Sequence, residues 1–331
     1  MEMLNTAIMF FVTFGLAAVI ATPLIKYLKK LKFGQKILEI GPKWHMPKQG
    51  VPTMGGLIFI IPVAVGSLLF GINYVKDGDI SHLILIAFSL LCGLIGFIDD
   101  YSKVVKKKNQ GLTPLAKLML QVVAAVALVA ALNYTGLLKP EIYIPFLNIT
   151  LLPHIYVFYA YAIFIIVGVV NAVNLTDGID GLVSIVTIPV MVFFAIIASR
   201  LGAQGTQLFC LLVIAGLFGF LIFNFNPAKV FMGDTGSLFL GGAVCAVAFI
   251  LNISVVLVLV GLIYLVEVLS DVIQVTYFKA TKGKRFFKMA PIHHHFEMCG
   301  MSEKQICFLF GGITVIMCII AYYGVGGLGL V

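Results

Sequence analysis

Charge is what this sequence has least of. Lysine, arginine, aspartate and glutamate make up 11% of its 331 residues, where a soluble globular domain carries about 25%. Beside 61% hydrophobic residues, that shortage excludes an ordinary soluble domain. The six cysteines, Cys92, Cys210, Cys245, Cys299, Cys307 and Cys318, form no CxxC pair. A disulfide framework or zinc site is therefore not expected, and most of them read as small buried hydrophobes. The apolar segments lack the alternating pattern of a membrane β-barrel. No low-complexity linker, clear internal repeat or separate basic domain is present, so the net charge of +8 does not point to nucleic acid.

What is present is a succession of apolar windows, each near the ~20 residues a helix needs to cross a bilayer. Ten can be read, at 4–25, 54–75, 80–98, 114–133, 155–170, 181–199, 207–223, 237–253, 255–278 and 305–323. The fifth, of 16 residues, is short for a full crossing. Helices satisfy their own backbone polar groups inside a bilayer, so the sequence predicts an all-α, polytopic bundle of about ten membrane helices, a single domain over residues 1–331. The first window has no preceding basic region and no small-residue cleavage site, and reads as a retained span.

Loop charge sets an orientation. Ten spans place loops 26–53, 99–113, 171–180, 224–236 and 279–304 on one side. With Lys117, that side carries 19 of the 22 Lys and Arg, against Lys76, Lys139 and Arg200 on the other. The positive-inside rule then puts the five charged loops in the cytoplasm and both termini outside. The longest outer loop, 134–153, is apolar with prolines and offers little for a partner to bind.

The acidic residues gather on the charged side. Asp99 and Asp100 close the third window in GFIDDYSKVVKKK, Asp177 and Asp180 follow the fifth in NAVNLTDGIDG, and Asp234 sits in NFNPAKVFMGDTGS. Carboxylates at the hydrocarbon boundary are costly, and they pair or serve a site. Hard oxygen ligands suit Mg²⁺, which binds through one or two carboxylates and substrate phosphates. The neighbouring Lys48, Lys103, Lys106, Lys107 and Lys108 suit the phosphates. Together they point to a magnesium-assisted reaction of a phosphorylated substrate at a membrane surface.

Each stretch taken alone has a plainer reading. Asp99-Asp100 can be a solvated helix end, KVVKKK a lipid anchor, TDGIDG two Asp-Gly turns, and GDTGS a helix start capped by Asp234 or Thr235. DTGS also occurs in aspartic proteases, but those need two aspartates sharing a proton in a β fold. A transporter would place ionisable groups near the midplane. Glu267 and Asp271, four residues apart inside the ninth window, face the bundle interior or mark a bend. His293, His294 and His295 in PIHHHFE lack a Cys or His at zinc-partner spacing, and imidazole near phosphate is the better reading.

GFIDDYSKV, NAVNLTDGIDGL, NFNPAKVFMGDTGS, PIHHHFE and KQGVPTMGGL together resemble the phospho-N-acetylmuramoyl-pentapeptide-transferases, from about residue 40 to the end. Aspartate-rich loops are shared across the polyprenyl-phosphate sugar-1-phosphate transferases, including those that act on N-acetylglucosamine. PIHHHFE is the narrower mark, and favours the muramoyl-pentapeptide branch. The resemblance implies a bacterial inner-membrane enzyme of peptidoglycan synthesis with its site facing the cytoplasm. It would transfer phospho-N-acetylmuramoyl-pentapeptide from the UDP-linked donor to undecaprenyl phosphate, giving lipid I and UMP, with Mg²⁺ as cofactor and an association with dimers. It also implies catalytic positions at Asp99, Asp100, Asp234, His293, His294 and His295, with Asp234 the metal ligand. Substrate would be met by Lys48, Thr53, Lys103, Asn174, Asp177, Asp180, Asn224, Phe231 and Gly233.

Overall fold

The computed structural model describes residues 2–31, 48–105 and 111–326. Lys106, Lys107 and Lys108, expected near the site, lie outside the described residues. The described residues form a helical bundle with one short hairpin. In order come α1 (Glu2–Lys30), α2 (Leu57–Phe70), α3 (Ile72–Lys76), α4 (Ser81–Val105), α5 (Pro114–Tyr134), β1 (Ile142–Ile144) and β2 (Ile149–Leu151). Next are α6 (Ile155–Thr176), α7 (Leu182–Arg200), α8 (Gln204–Asn224) and α9 (Gly233–Ile250). The last are α10 (Leu257–Val260), α11 (Leu262–Ala280), α12 (Ile292–Met298) and α13 (Glu303–Gly324).

Among the described residues, eight helices are long and apolar enough to cross a membrane: α1, α4 to α9 and α13. This is a multi-pass membrane protein. The other two windows take different shapes. The second divides at Gly71 into α2 and the short α3, and the 14 residues of α2 span only about 21 Å at 1.5 Å per residue, against about 30 Å of hydrocarbon. The ninth is broken, with the segments either side of Gly261 meeting at 79°. The bend expected near Glu267 and Asp271 therefore falls six residues earlier, where glycine ends the short α10. The fifth window is longer than its apolar run, because α6 continues through Asn171 and Asn174 to Thr176.

Helix α9 is the centre of the bundle. Every residue from Thr235 to Ile250 is buried, and only Gly233 and Asp234 at its start are not. It packs most extensively on α4, and also on α6, α7 and α2. The two central helices run antiparallel, so the Asp99-Asp100 end of α4 meets the Asp234 start of α9. Gly96 permits this approach, since a Cβ there would overlap the Asp234 carbonyl.

The far end is closed by other means. Strands β1 and β2 pair antiparallel, with Tyr143 opposite Thr150. Phe146 at the hairpin tip donates its N–H to the Gly324 carbonyl over 2.8 Å. Asn252 after α9 accepts from the Lys139 N–H over 2.9 Å, joining the hairpin's lead-in to the core helix. This small strand pair within loop 134–153 is an addition to the all-α expectation.

Candidate active site

Helical spacing brings the first three charged groups together. Asp99, Asp100 and Lys103 lie on α4, and residues three and four apart share a helix face. Lys103 Nζ is 2.6 Å from Asp99 Oδ2 and 3.7 Å from Asp100 Oδ1. Across the helix pair it also reaches Asp234 Oδ2, at 2.9 Å. One ligand oxygen from each of Asp99, Asp100 and Asp234 lies within 4.8 Å of the others.

Each carboxylate is held by its own partners. Asp100 Oδ2 accepts from the Thr235 N–H at 2.9 Å and from the Thr235 hydroxyl at 2.8 Å. It thereby sits at the N-terminus of α9, where exposed N–H groups favour an anion. Asp99 Oδ1 accepts from the Leu112 N–H at 2.8 Å, pinning the start of the chain that leads into α5. Asp234 Oδ1 accepts from Asn174 Nδ2 at 2.9 Å, and Oδ2 takes a second ammonium, Lys117 Nζ, at 2.9 Å. Lys117 also donates to Asn174 Oδ1 at 3.2 Å. Helix α9 begins at Gly233 without a side-chain cap. Asp234 faces the cluster and Thr235 binds Asp100, so neither serves as the cap that GDTGS suggested.

The stretch around Thr53 closes this mouth. Phe231 N–H donates to the Pro52 carbonyl at 2.8 Å, Gly55 N–H to Phe231 at 2.8 Å, and Gly56 N–H to Met232 at 2.9 Å. The two loops pair like short strands. Gly233 has φ +74°, and a Cβ there would lie 2.6 Å from both Asp100 Oδ2 and Thr53 Oγ1. A backbone in that region favours glycine, and the site needs the missing methyl as well. Phe231 is half-buried beside it.

A second cluster lies at the start of α7. Asp180 Oδ1 accepts from Lys48 Nζ at 2.7 Å, and Oδ2 from the Ala228 N–H at 2.9 Å and Asn226 Nδ2 at 3.2 Å. Glu303 on α13 is 2.6 Å from Lys48 Nζ and accepts from the Asp180 N–H at 3.0 Å. Asn224 is buried, accepting from the Gly181 N–H at 3.1 Å and donating to the Val230 carbonyl at 3.0 Å. In this state Lys48, Asp180 and Asn224 are occupied in tying loops together. Asp177 differs, because its carboxyl has no hydrogen-bond partner among the described residues. Removal from water pushes its pKa well above the usual carboxylate range, and the charges of Asp234, Asp100 and Asp180 push the same way. The residue as a whole keeps partial exposure, so the carboxyl is not sealed off.

The three histidines do not converge. His293 is buried and meets Glu267 at 2.9 Å, His294 meets Glu297 at 2.6 Å, and His295 Nδ1 accepts from the Lys288 N–H at 3.1 Å. Sequence reasoning missed Lys117, Glu303 and the Glu267–His293 pair. The signal for Lys117 was present: a lone ammonium in the first turn of an apolar helix.

Three carboxylate oxygens around one small space form a hard-oxygen set that suits a magnesium ion, with two lysines available to phosphate oxygens. Residues 82–252, from the first turn of α4 to just past the end of α9, match the model of glycosyl transferase family 4. A phospho-N-acetylmuramoyl-pentapeptide-transferase from Clostridium botulinum is 46% identical over 329 residues, covering 97% of each chain. One from Clostridium acetobutylicum is 46% identical over 90% of this chain and 92% of its own. One from Bacillus cytotoxicus is 44% identical over 94% and 96%. Agreement at that level along nearly the whole length means that the chain belongs to the phospho-N-acetylmuramoyl-pentapeptide-transferase family.

Proposed function

We propose that the protein transfers phospho-N-acetylmuramoyl-pentapeptide from its UDP-linked donor to undecaprenyl phosphate, releasing UMP and forming lipid I for peptidoglycan. The observation that carries this reading is the meeting of Asp99, Asp100 and Asp234 with Lys103 and Lys117 at one end of a membrane bundle. A lipid phosphate stays at the bilayer surface and a nucleotide sugar arrives from solution, so helix ends are where the two meet. The charge bias of the loops supports placing that end in the cytoplasm of a bacterial inner membrane.

Chemically, an oxygen of the lipid phosphate forms a bond to the β-phosphorus of the donor. The bond to the bridging oxygen breaks, and UMP carries away the electron pair. Asp99, Asp100 and Asp234 are the residues that would hold Mg²⁺, with Asp234 the first ligand. A bound ion there would offset charge on the diphosphate as the leaving group departs. Lys103 and Lys117 orient phosphate oxygens once they exchange Asp234 for substrate. Asp99 takes a proton from any lipid phosphate still carrying one. That step is minor, because a phosphomonoester has its second pKa near 6 and is largely ionised at neutral pH. Positioning and charge compensation dominate.

Asn174, Asp177 and Phe231 lie on the nucleoside side, Phe231 offering a face for uracil. Asp180, Asn224 and Lys48 contribute by fixing the surrounding loops, and Thr53 and Gly233 keep the mouth narrow beside Asp100. His294 and His295, turned to separate partners, meet the sugar-peptide. The family's association with dimers leads us to propose a homodimer, which light scattering of the detergent-purified protein tests; a monomer there would refute it.

The test of function is UMP release by the purified protein given undecaprenyl phosphate and magnesium. Release is expected with UDP-N-acetylmuramoyl-pentapeptide and not with UDP-N-acetylglucosamine. Release from the second donor alone would move the protein to the other branch, and release from neither would reject transferase activity.

A further inference from the structure

Two titratable side chains that are not part of the aspartate cluster are packed out of water. Glu267 on α11 is 0% exposed and His293 on α12 is 1% exposed. Glu267 Oε2 and His293 Nδ1 are 2.9 Å apart. With Glu267 ionised its oxygens only accept, and Nδ1 then carries the proton. In the neutral ring, Nε2 is then a bare acceptor. Which nitrogen holds the proton is set by the bond the other makes.

A pair kept only for packing would satisfy its outer atoms as well. Here His293 Nε2 and Glu267 Oε1 are both buried without a partner among the described residues. Buried polar atoms left unpaired are rare and call for a reason. Nε2 is aimed at the Asp177–Gly178 turn, so closely that a Cβ on Gly178 would overlap it. That turn carries the unpartnered Asp177 carboxyl, and the His293 ring lies 4.1 Å, centroid to centroid, from that of His294.

We infer that Glu267 is a positioning residue, which holds His293 in the Nδ1–H tautomer and presents Nε2 to the Asp177–Gly178 turn for a hydrogen-bond donor that arrives with the nucleotide sugar. Glu267 touches no substrate and acts through the imidazole. The inference rests on the transferase reading for its kinetic part only.

The experiment is a double-mutant cycle of Glu267→Met and His293→Asn, read by UMP release and by ¹⁵N spectra of histidine-labelled protein. Glu267→Met should lower kcat by roughly tenfold to a hundredfold, taking as a guide the loss of the outer partner of a metal-bound histidine, with KM for the donor within about twofold. In the His293→Asn background it should have no further effect, since a residue acting only through another adds nothing once that one is gone. The His293 signal should lose its fixed Nδ1–H tautomer. Should Glu267→Met fail to fold, Glu267→Gln keeps the volume and an acceptor oxygen, and is read in the same cycle, with a smaller fall expected. Additive effects in the cycle, or a tautomer unchanged in Glu267→Met, overturn the inference. A wild type that releases no UMP would defeat the transferase reading and leave the spectroscopic arm to decide the tautomer alone.

Discussion

The two ends of this bundle are built from similar parts and do opposite things. At one end, Asp99, Asp100 and Asp234 project from the ends of α4 and α9 to meet Lys103 and Lys117 around a shared space. At the other, Asp79 spends its carboxylate on backbone, accepting from the Ser81 N–H at 2.9 Å and the Gly205 N–H at 2.8 Å. One carboxylate serves two helix starts and leaves nothing over. Among the described residues, three carboxylates stand against two ammonium groups, a surplus of negative charge that a bound cation would offset. An acidic residue at a helix end is therefore informative only with its partners counted.

The sharpest way to break this contrast is Asp234→Asn, which keeps shape and removes one charge. We expect UMP release to fall by about a thousandfold or more, since a metal held there would supply several kcal/mol of transition-state stabilisation, with the thermal transition of the purified protein retained. Activity near wild type would remove Asp234 from the chemistry.

Next is a matched glycine pair. Gly233 (φ +74°) at the site and Gly78 (φ +86°) at the far end share the left-handed backbone, but a Cβ on Gly78 meets nothing within 4 Å. Both alanine variants bear the strain of that backbone, roughly 1–2 kcal/mol. Only Gly233→Ala also crowds Asp100 and Thr53. Gly233→Ala should lose most activity and Gly78→Ala should keep it with a lowered Tm, and equal kinetics would show the site mouth is not tight.

Lys117→Met removes one of the two ammonium groups on Asp234. A charge-assisted contact of about 1.5–3 kcal/mol corresponds to a loss of roughly tenfold to a hundredfold in kcat/KM. An unchanged value would assign Lys117 to packing alone.

The smallest effect belongs to Asp79→Asn. Burial works against the Asp79 charge, but the hydrogen bonds from Ser81 and Gly205 outweigh it and hold the pKa below the usual carboxylate range. A depressed carboxylate stabilises the fold above its unfolded pKa, and that contribution is lost as pH falls through the lower folded pKa. The Tm gap between wild type and variant should be present at pH 7 and shrink as the pH falls below about 4, the carboxylate's unfolded range. A gap that grows on acidification would contradict the assignment.

Much of the site was legible because charge in an apolar chain has so few places to go. Asp99, Asp100, Asp234 and Lys103 could be read from loop positions alone, and the structure brings them together. Lys117 was hidden because an ammonium in a first helical turn reads as topology until its partner across the bundle is known. Asn174 looked like a loop residue, since amides end a hydropathy run before they end a helix, and α6 in fact continues past it. The PIHHHFE run suggested three like residues with one task. His293 instead meets Glu267 of α11, His294 meets Glu297 of α12, and His295 meets the Lys288 N–H of the preceding loop, a spread that the run itself does not encode. The break beside Gly261 followed the glycine and not the acidic pair: α11 runs unbroken through Glu267, one of whose oxygens meets a histidine 26 residues later.

The central claim is that the three carboxylates form one seat for a divalent cation. Binding of Mn²⁺, followed by electron paramagnetic resonance on purified protein without substrate, tests it apart from catalysis. A single class of site that Mg²⁺ displaces, and that Asp99→Asn, Asp100→Asn and Asp234→Asn each weaken, is the expected result. Binding that survives all three substitutions unchanged would contradict it.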